Sequence, residues 1–271
     1  FNIMIKNDQY YMRLAIIEAL RGKANTYPNP RVGAVVVMNG EIISTGYHKR
    51  YGAPHAELMA IKKINKDISD ATLFVTLEPC SHYGKTNPCT EILNPKIFSK
   101  VVIGSRDPNK EAAGGMEKLL KKGIQVIGPV CENECKRMNK RFFTFHEKKR
   151  PYVILKIALT LDGFIAEKNG RSKWITNEKS RKSVHDLRAN CDAILVGNRT
   201  IEYDNPSLTS HGVGEDPKII LFSQDKIDLK TKKVYENNPI IFNKMKNNLD
   251  PIKNLDEILK HLYSNSIQTL L

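Results

Sequence analysis

One histidine, two cysteines and one glutamate are spaced to hold a metal and move protons. Pro54-His55-Ala56-Glu57 is followed by Glu78-Pro79-Cys80 and then by Pro88-Cys89. An imidazole and two thiolates bind Zn²⁺ and leave the fourth position to water. Zinc held this way lowers the pKa of that water, so hydroxide is available near neutral pH. Glu57 is not needed as a ligand, and its carboxylate is free to carry protons. His55, Cys80 and Cys89 are therefore the candidate ligands and Glu57 the candidate catalytic residue. Taken singly, each has a plainer reading: a histidine near a helix start caps or faces solvent, and a free cysteine packs as a small hydrophobe. The combination favours metal chemistry.

His-x-Glu followed by Pro-Cys and a second Cys is the pattern of zinc deaminases acting on amino-substituted heterocycles. Their common form has two residues between the cysteines. Here Ser81 to Pro88 intervene and bring His82 and Lys85. A basic, glycine-containing loop between two metal ligands passes close to the metal and suits a phosphate on the substrate.

The elements that position these groups follow from local pattern. Asp8 can cap a helix from about Gln9 to Arg21, which Gly22 ends. Val32 to Met38 and Glu41 to Gly46 form a hairpin around Asn39-Gly40, a type I′ turn signal. Pro54 starts a helix running to about Asn65, with His55 and Glu57 in its first turn. Ala71 to Leu77 is a strand that delivers Glu78-Pro79-Cys80, and Cys89 opens the next helix. A strand over 100–104, a helix over 116–122, a short strand over 124–127 and a helix from Glu132 to about His146 follow. Alternation of strands and helices makes this an α/β layered domain.

Glu147-Lys148-Lys149-Arg150-Pro151 is a charged break, so domains are expected at 1–147 and 151–271. The pattern then restarts with a strand from Tyr152 to Leu159, a helix from about Asn177 to Arg188, and an apolar strand from Cys191 to Gly197. Lys218 to Phe222 and Pro239 to Phe242 read as strands, Leu255 to Tyr263 as a helix, and Ile267 to Leu271 as the start of a further strand. A domain that stops in such a strand is expected to lack its C-terminal part.

Composition narrows the function classes. The chain has 271 residues, 41% of them hydrophobic, enough for one large or two ordinary cores. No apolar run is long enough to span a membrane, and the N-terminus carries no signal-peptide pattern. Five cysteines, two of them assigned to metal, suit a reducing cytoplasm rather than a disulfide framework. Cys131 and Cys135 lie one helical turn apart with no further ligand nearby, and read as packing residues. The net charge of +14 permits nucleic-acid binding. The lysines are scattered, however, and aromatics are not interleaved with them as a stacking platform requires. A small phosphorylated substrate is the expected partner, with no nucleic acid and no membrane, in a homo-oligomer.

Pro28-Asn29-Pro30-Arg31-Val32-Gly33, Gly46-Tyr47-His48, Pro54-His55-Ala56-Glu57 and the run Thr76 to Thr86 resemble the bifunctional deaminase/reductase family of riboflavin biosynthesis. Leu159-Thr160-Leu161-Asp162-Gly163, Ser172-Lys173-Trp174-Ile175-Thr176 and Asp204-Asn205-Pro206-Ser207-Leu208-Thr209 resemble its reductase half. The resemblance implies a cytidine-deaminase-like α/β/α domain followed by a dihydrofolate-reductase-like domain. It implies zinc and NADPH as cofactors. The implied reactions are hydrolysis of the 2-amino group of 2,5-diamino-6-(5-phosphoribosylamino)pyrimidin-4-one, then reduction of the ribosyl side chain to ribityl.

By the same resemblance Asn29, His48, His82 and Lys85 line the deaminase substrate pocket. Ala158, Trp174, Thr200, Asp204 and Ser223 match positions that contact NADPH. Ser172, Arg188 and Leu208 match contacts to the ribose phosphate, with Lys156 on the same first strand. Two departures stand out. Ser210-His211 follow Leu208-Thr209 where the family has Arg, and Phe222 precedes Ser223 where it has Asp. The family also continues into a Glu-Gly-Gly turn for the cofactor phosphates, so the deaminase half is expected to be the more complete. The competing readings are another zinc deaminase of bases, nucleosides or tRNA, and a basic nucleic-acid-binding protein with a deaminase-like fold.

Overall fold

The computed structural model describes residues 7–23, 25–65, 67–84, 87–172, 175–223, 230–243 and 251–271. The chain divides into two compact units, Phe1–Glu147 and Lys148–Leu271.

The first unit is a five-stranded sheet in the order β2-β1-β3-β4-β5, built from β1 (Gly33–Met38), β2 (Glu41–Tyr47), β3 (Ala71–Val75), β4 (Phe98–Ile103) and β5 (Gln125–Ile127). β1 runs antiparallel to β2 and β3, while β3, β4 and β5 are parallel. Side chains alternate across the sheet with period two. Ala34, Val36, Leu73, Val75, Val101 and Ile103 face α2 (Ala56–Ile61) and α4 (Gly115–Lys121). Val35, Val37, Phe74 and Val102 face α1 (Asp8–Leu20) and α5 (Glu132–Met138). Two separate cores on one sheet make a three-layer α/β/α sandwich.

Asn39 and Gly40 both adopt positive φ, as a type I′ turn demands. The first helix is capped by Asn7, whose side chain accepts from Tyr10 N at 3.0 Å, so the cap lies one residue before Asp8. The helix expected from Glu132 to His146 is two helices, α5 and α6 (Lys140–Lys148). Asn139 sits at the break because its side-chain amide is committed elsewhere: Oδ1 accepts from Arg31 N at 2.9 Å and Nδ2 donates to Arg31 O at 2.8 Å.

Helix α2 lies directly on β2. A Cβ built on Gly46 would sit 2.3 Å from Ala56 O and 2.4 Å from Ala60 N, both backbone atoms. Gly46→Ala is therefore expected to destabilise the unit by about 1–3 kcal/mol through overpacking, read as a lower urea midpoint at unchanged slope.

The second unit is a sheet in the order β6-β10-β7-β8-β9, parallel throughout: β6 (Tyr152–Val153), β7 (Ala193–Gly197), β8 (Lys218–Ser223), β9 (Ile240–Asn243) and β10 (Thr269–Leu270). One face packs Ile194, Ile219 and Leu221 against Ile201 of α8 (Asn198–Asp204). The other packs Ala193 and Ile220 against Ile258 and Leu262 of α9 (Pro251–Ser264). Helix α7 (Glu178–Ala189) precedes β7. Asp192 pins β10 in place, its Oδ2 accepting from Gln268 N and Thr269 N, both at 2.8 Å. The strand expected over Tyr152 to Leu159 stops at Val153. Leu155, Ile157 and Leu159 keep strand-like alternation but are 82%, 54% and 47% exposed, and the pairing of β6 with β10 covers Tyr152 and Val153 alone. Among the described residues no helix is long and apolar enough to cross a membrane.

Candidate active site

Three elements of the first unit converge on one point. His55 is the extended residue that caps α2, Cys80 follows β3, and Cys89 opens the four-residue helix α3 (Cys89–Ile92). His55 Nδ1 lies 3.2 Å from Cys89 Sγ and 3.5 Å from Cys80 Sγ. The three donor atoms all fall within 4.8 Å of one another. Tetrahedral zinc, with bonds of about 2.05 Å to nitrogen and 2.3 Å to sulfur, sets nitrogen and sulfur about 3.6 Å apart. The spacing therefore fits zinc. Among the described residues this is the one such group of three or more potential ligands.

The electrostatics of the two thiols suit a cation as well. A hydrogen bond from Cys89, together with His55, holds the Cys80 thiol down at about 4. The same bond to Cys80, with burial, pushes Cys89 well above its ordinary value. The first thiolate forms easily and the second is opposed by it. A divalent cation bound there would favour the ionised form of both.

Glu57 is 3% exposed in the first turn of α2, and its Oε2 is buried with no hydrogen-bond partner. Burial pushes its carboxyl above the ordinary range. A buried, unpartnered carboxylate oxygen beside a three-donor metal site is placed for a water or substrate atom.

These groups open into a cavity of about 260 Å³ lined by Asn29, His48, His55, Glu57, Cys80 and His82. Burial lowers the pKa of His48, so its ring is neutral at neutral pH. Its Nδ1 lies 3.2 Å from Pro54 O and donates there, which leaves Nε2 to accept from Asn29 Nδ2 at 3.2 Å. The Asn29 loop is fixed in turn by Asn139 through Arg31. His82 Nδ1 is buried and unpartnered. Lys85 lies outside the described residues.

Asp107, Asn109 and Phe142 also line the cavity, and nothing in the motif reading singled them out. Burial pushes Asp107 up to about 7. For Asp107 and Asn109 the signal was positional: 106–109 follow the C-terminal end of a parallel strand, where α/β sheets bind ligands. Glu78 has a different part. Its carboxylate accepts from Asp107 N at 3.1 Å, Gly114 N at 3.1 Å and Met116 N at 3.0 Å. It ties the Cys80 segment to the Asp107 loop and to the start of α4.

In the second unit, Ser172 Oγ donates to Asp204 Oδ1 at 3.0 Å, which brings two of the named positions together. Ser223 ends β8 and is 1% exposed, while Thr200 lies in α8, just past the end of β7. Arg188 Nη1 donates to Thr209 O at 3.1 Å, beside buried Leu208. The His185 and His211 rings are 4.2 Å apart, and both His185 Nδ1 and Arg188 Nε are buried without partners. Ala158 and Lys156 fall in the segment after β6, and Trp174 lies outside the described residues.

Comparison with known proteins follows the same division. Residues 5–105 match the cytidine and deoxycytidylate deaminase zinc-binding region, and residues 151–271 match the RibD C-terminal domain. The riboflavin biosynthesis protein RibD of Aquifex aeolicus (strain VF5) is 45% identical over 229 residues, covering 83% of this chain and 64% of the relative. That of Escherichia coli (strain K12) is 42% identical over 203 residues, or 74% and 55%. The chain thus spans just over half to just under two thirds of the length of these relatives. The crystal structure of a diaminohydroxyphosphoribosylaminopyrimidine deaminase/5-amino-6-(5-phosphoribosylamino)uracil reductase from Thermotoga maritima superposes with a TM-score of 0.82 at 41% identity, covering 97% of this chain and 80% of that one. RibD of Acinetobacter baumannii gives 0.81 at 33% identity, covering 97% and 79%. The chain, with a cytidine-deaminase-like unit followed by a dihydrofolate-reductase-like one, belongs to the RibD family.

Proposed function

We propose that the first unit hydrolyses the 2-amino group of 2,5-diamino-6-(5-phosphoribosylamino)pyrimidin-4-one, and that the second takes NADPH and reduces the ribosyl side chain of the product. The observation that carries the deaminase reading is the unpartnered Glu57 Oε2 beside the His55, Cys80 and Cys89 donors. When bound, zinc supplies Lewis acidity and a water of lowered pKa. Glu57 would take one proton from the attacking water and give it to the ring nitrogen, then take the second from the hydroxyl now on the carbon and give it to the departing amine, so that ammonia leaves as the carbonyl forms. The raised proton affinity of its buried carboxyl suits both directions of transfer.

Asn29 and neutral His48 hold the ring edge in the cavity. His82, on the loop with Lys85, faces the phosphoribosyl end. A volume of about 260 Å³ suits a single-ring heterocycle. In the second unit, Thr200 and Ser223 lie near the C-terminal ends of β7 and β8, where parallel sheets take nucleotides, and Asp204 is bonded to Ser172. The unpartnered Arg188 and His185 nitrogens beside His211 suit the substrate phosphate. Buried Cys135, in no disulfide, supports a reducing, cytoplasmic setting.

The test is ammonia release and NADPH oxidation with the diaminopyrimidinone ribosyl phosphate, set against cytidine, guanine and tRNA. Ammonia from the diaminopyrimidinone alone is the expected result. Ammonia from another substrate instead, or RNA binding with no ammonia at all, overturns the reading.

A further inference from the structure

Helix α4 and its C-cap residue Lys122 reach the backbone just after both cysteines. Lys118 Nζ donates to Ser81 O at 2.5 Å, the carbonyl of the residue after Cys80. Lys122 Nζ donates to Thr90 O at 2.6 Å, the carbonyl of the residue after Cys89, and reaches Glu91 O at 3.4 Å. The two lysines are four residues apart and so share one helix face. We propose that Lys118 and Lys122 are positioning residues that clamp the two cysteine ligands and slow the loss of zinc.

Two further observations support the clamp. Thr90 and Glu91 belong to a helix of only four residues, whose carbonyls have no partners within it. Lys122 caps them and holds Cys89 at the other end of that helix. Ser81 is already fastened to the segment leading into α4, through Ser81 N to Ala112 O at 3.0 Å and Ser81 Oγ to Ala113 O at 2.6 Å. Lys118 closes the third side. Groups that hold metal ligands from behind are worth about 10–100-fold in metal affinity.

The inference rests on His55, Cys80 and Cys89 being zinc ligands, and its test separates the two claims. The zinc-loaded protein is mixed with excess 4-(2-pyridylazo)resorcinol, and the rate of zinc release is followed by colour. The variant Lys118→Met/Lys122→Met should release zinc about 10-fold faster. Lys118→Arg/Lys122→Arg, which keeps the donors, should stay close to the native rate, and so should Lys121→Met on the same helix. The Met pair should also lose more thermal stability with zinc bound than without it. An unchanged release rate in the Met pair, failure of the Arg pair to rescue, or equal stability losses with and without zinc would each overturn the clamp. A native protein that holds no zinc at all would sink the ligand reading itself.

Discussion

Replacing Glu57 by Gln is expected to lower ammonia release by about 10³-fold while the protein still binds zinc and melts near the native temperature. Glutamine keeps the shape and one acceptor oxygen but cannot relay a proton. Glu57 is not among the three donors that lie within 4.8 Å of one another, so the metal is retained. Its Oε2 makes no hydrogen bond in the protein, so folding loses little. Parallel assays of ammonia, zinc content and melting temperature check all three. Loss of zinc in Glu57→Gln, or deamination within tenfold of native, would remove Glu57 from the proton-transfer role.

Glu78→Ala should produce the largest loss of stability, about 4 kcal/mol, and should cost zinc as well. Glu78 is 6% exposed and accepts three backbone N–H bonds. Hydrogen bonds to a charged group contribute about 1.5–3 kcal/mol each, and the stranded donors are then penalised for being buried. In a unit of this size such a loss lowers the melting temperature by about 8–16 °C. Glu78→Gln should do about half the damage, because its oxygen can still accept from Gly114 and Met116 while its amide opposes the Asp107 N–H. Calorimetry of the two variants checks the order. Equal effects of Ala and Gln would mean that volume, and not the hydrogen bonds, decides.

The chemistry was more legible in the chain than its scaffolding. His55, Glu57, Cys80 and Cys89 stand out because only a few residue types perform ligation and proton transfer, and the hairpin stands out because Asn39-Gly40 supplies two positive φ angles. The role of Glu78 was hidden because its partners are backbone N–H groups, which leave no trace in residue type. Asp107 and Asn109 were hidden because their place in the cavity depends on β4 lying beside β3. The break at Asn139 was hidden for a similar reason, since it bonds to Arg31, far away in the chain. In the second unit, the alternation after Val153 reads as a strand, yet a strand also needs a neighbour, which local pattern does not report. Arg188 matched as a single position, whereas its neighbours His185 and His211 come together only through the fold.

The most direct test of zinc-dependent hydrolysis is isotopic. The zinc-loaded chain is incubated with the diaminopyrimidinone ribosyl phosphate in oxygen-18 water without NADPH, and the product is weighed by mass spectrometry. The expected product carries one oxygen-18 atom per molecule in place of the amine, with matching ammonia, and the protein stripped of zinc yields neither. Unchanged substrate from the folded, zinc-loaded protein, or equal turnover after zinc is stripped, would contradict it.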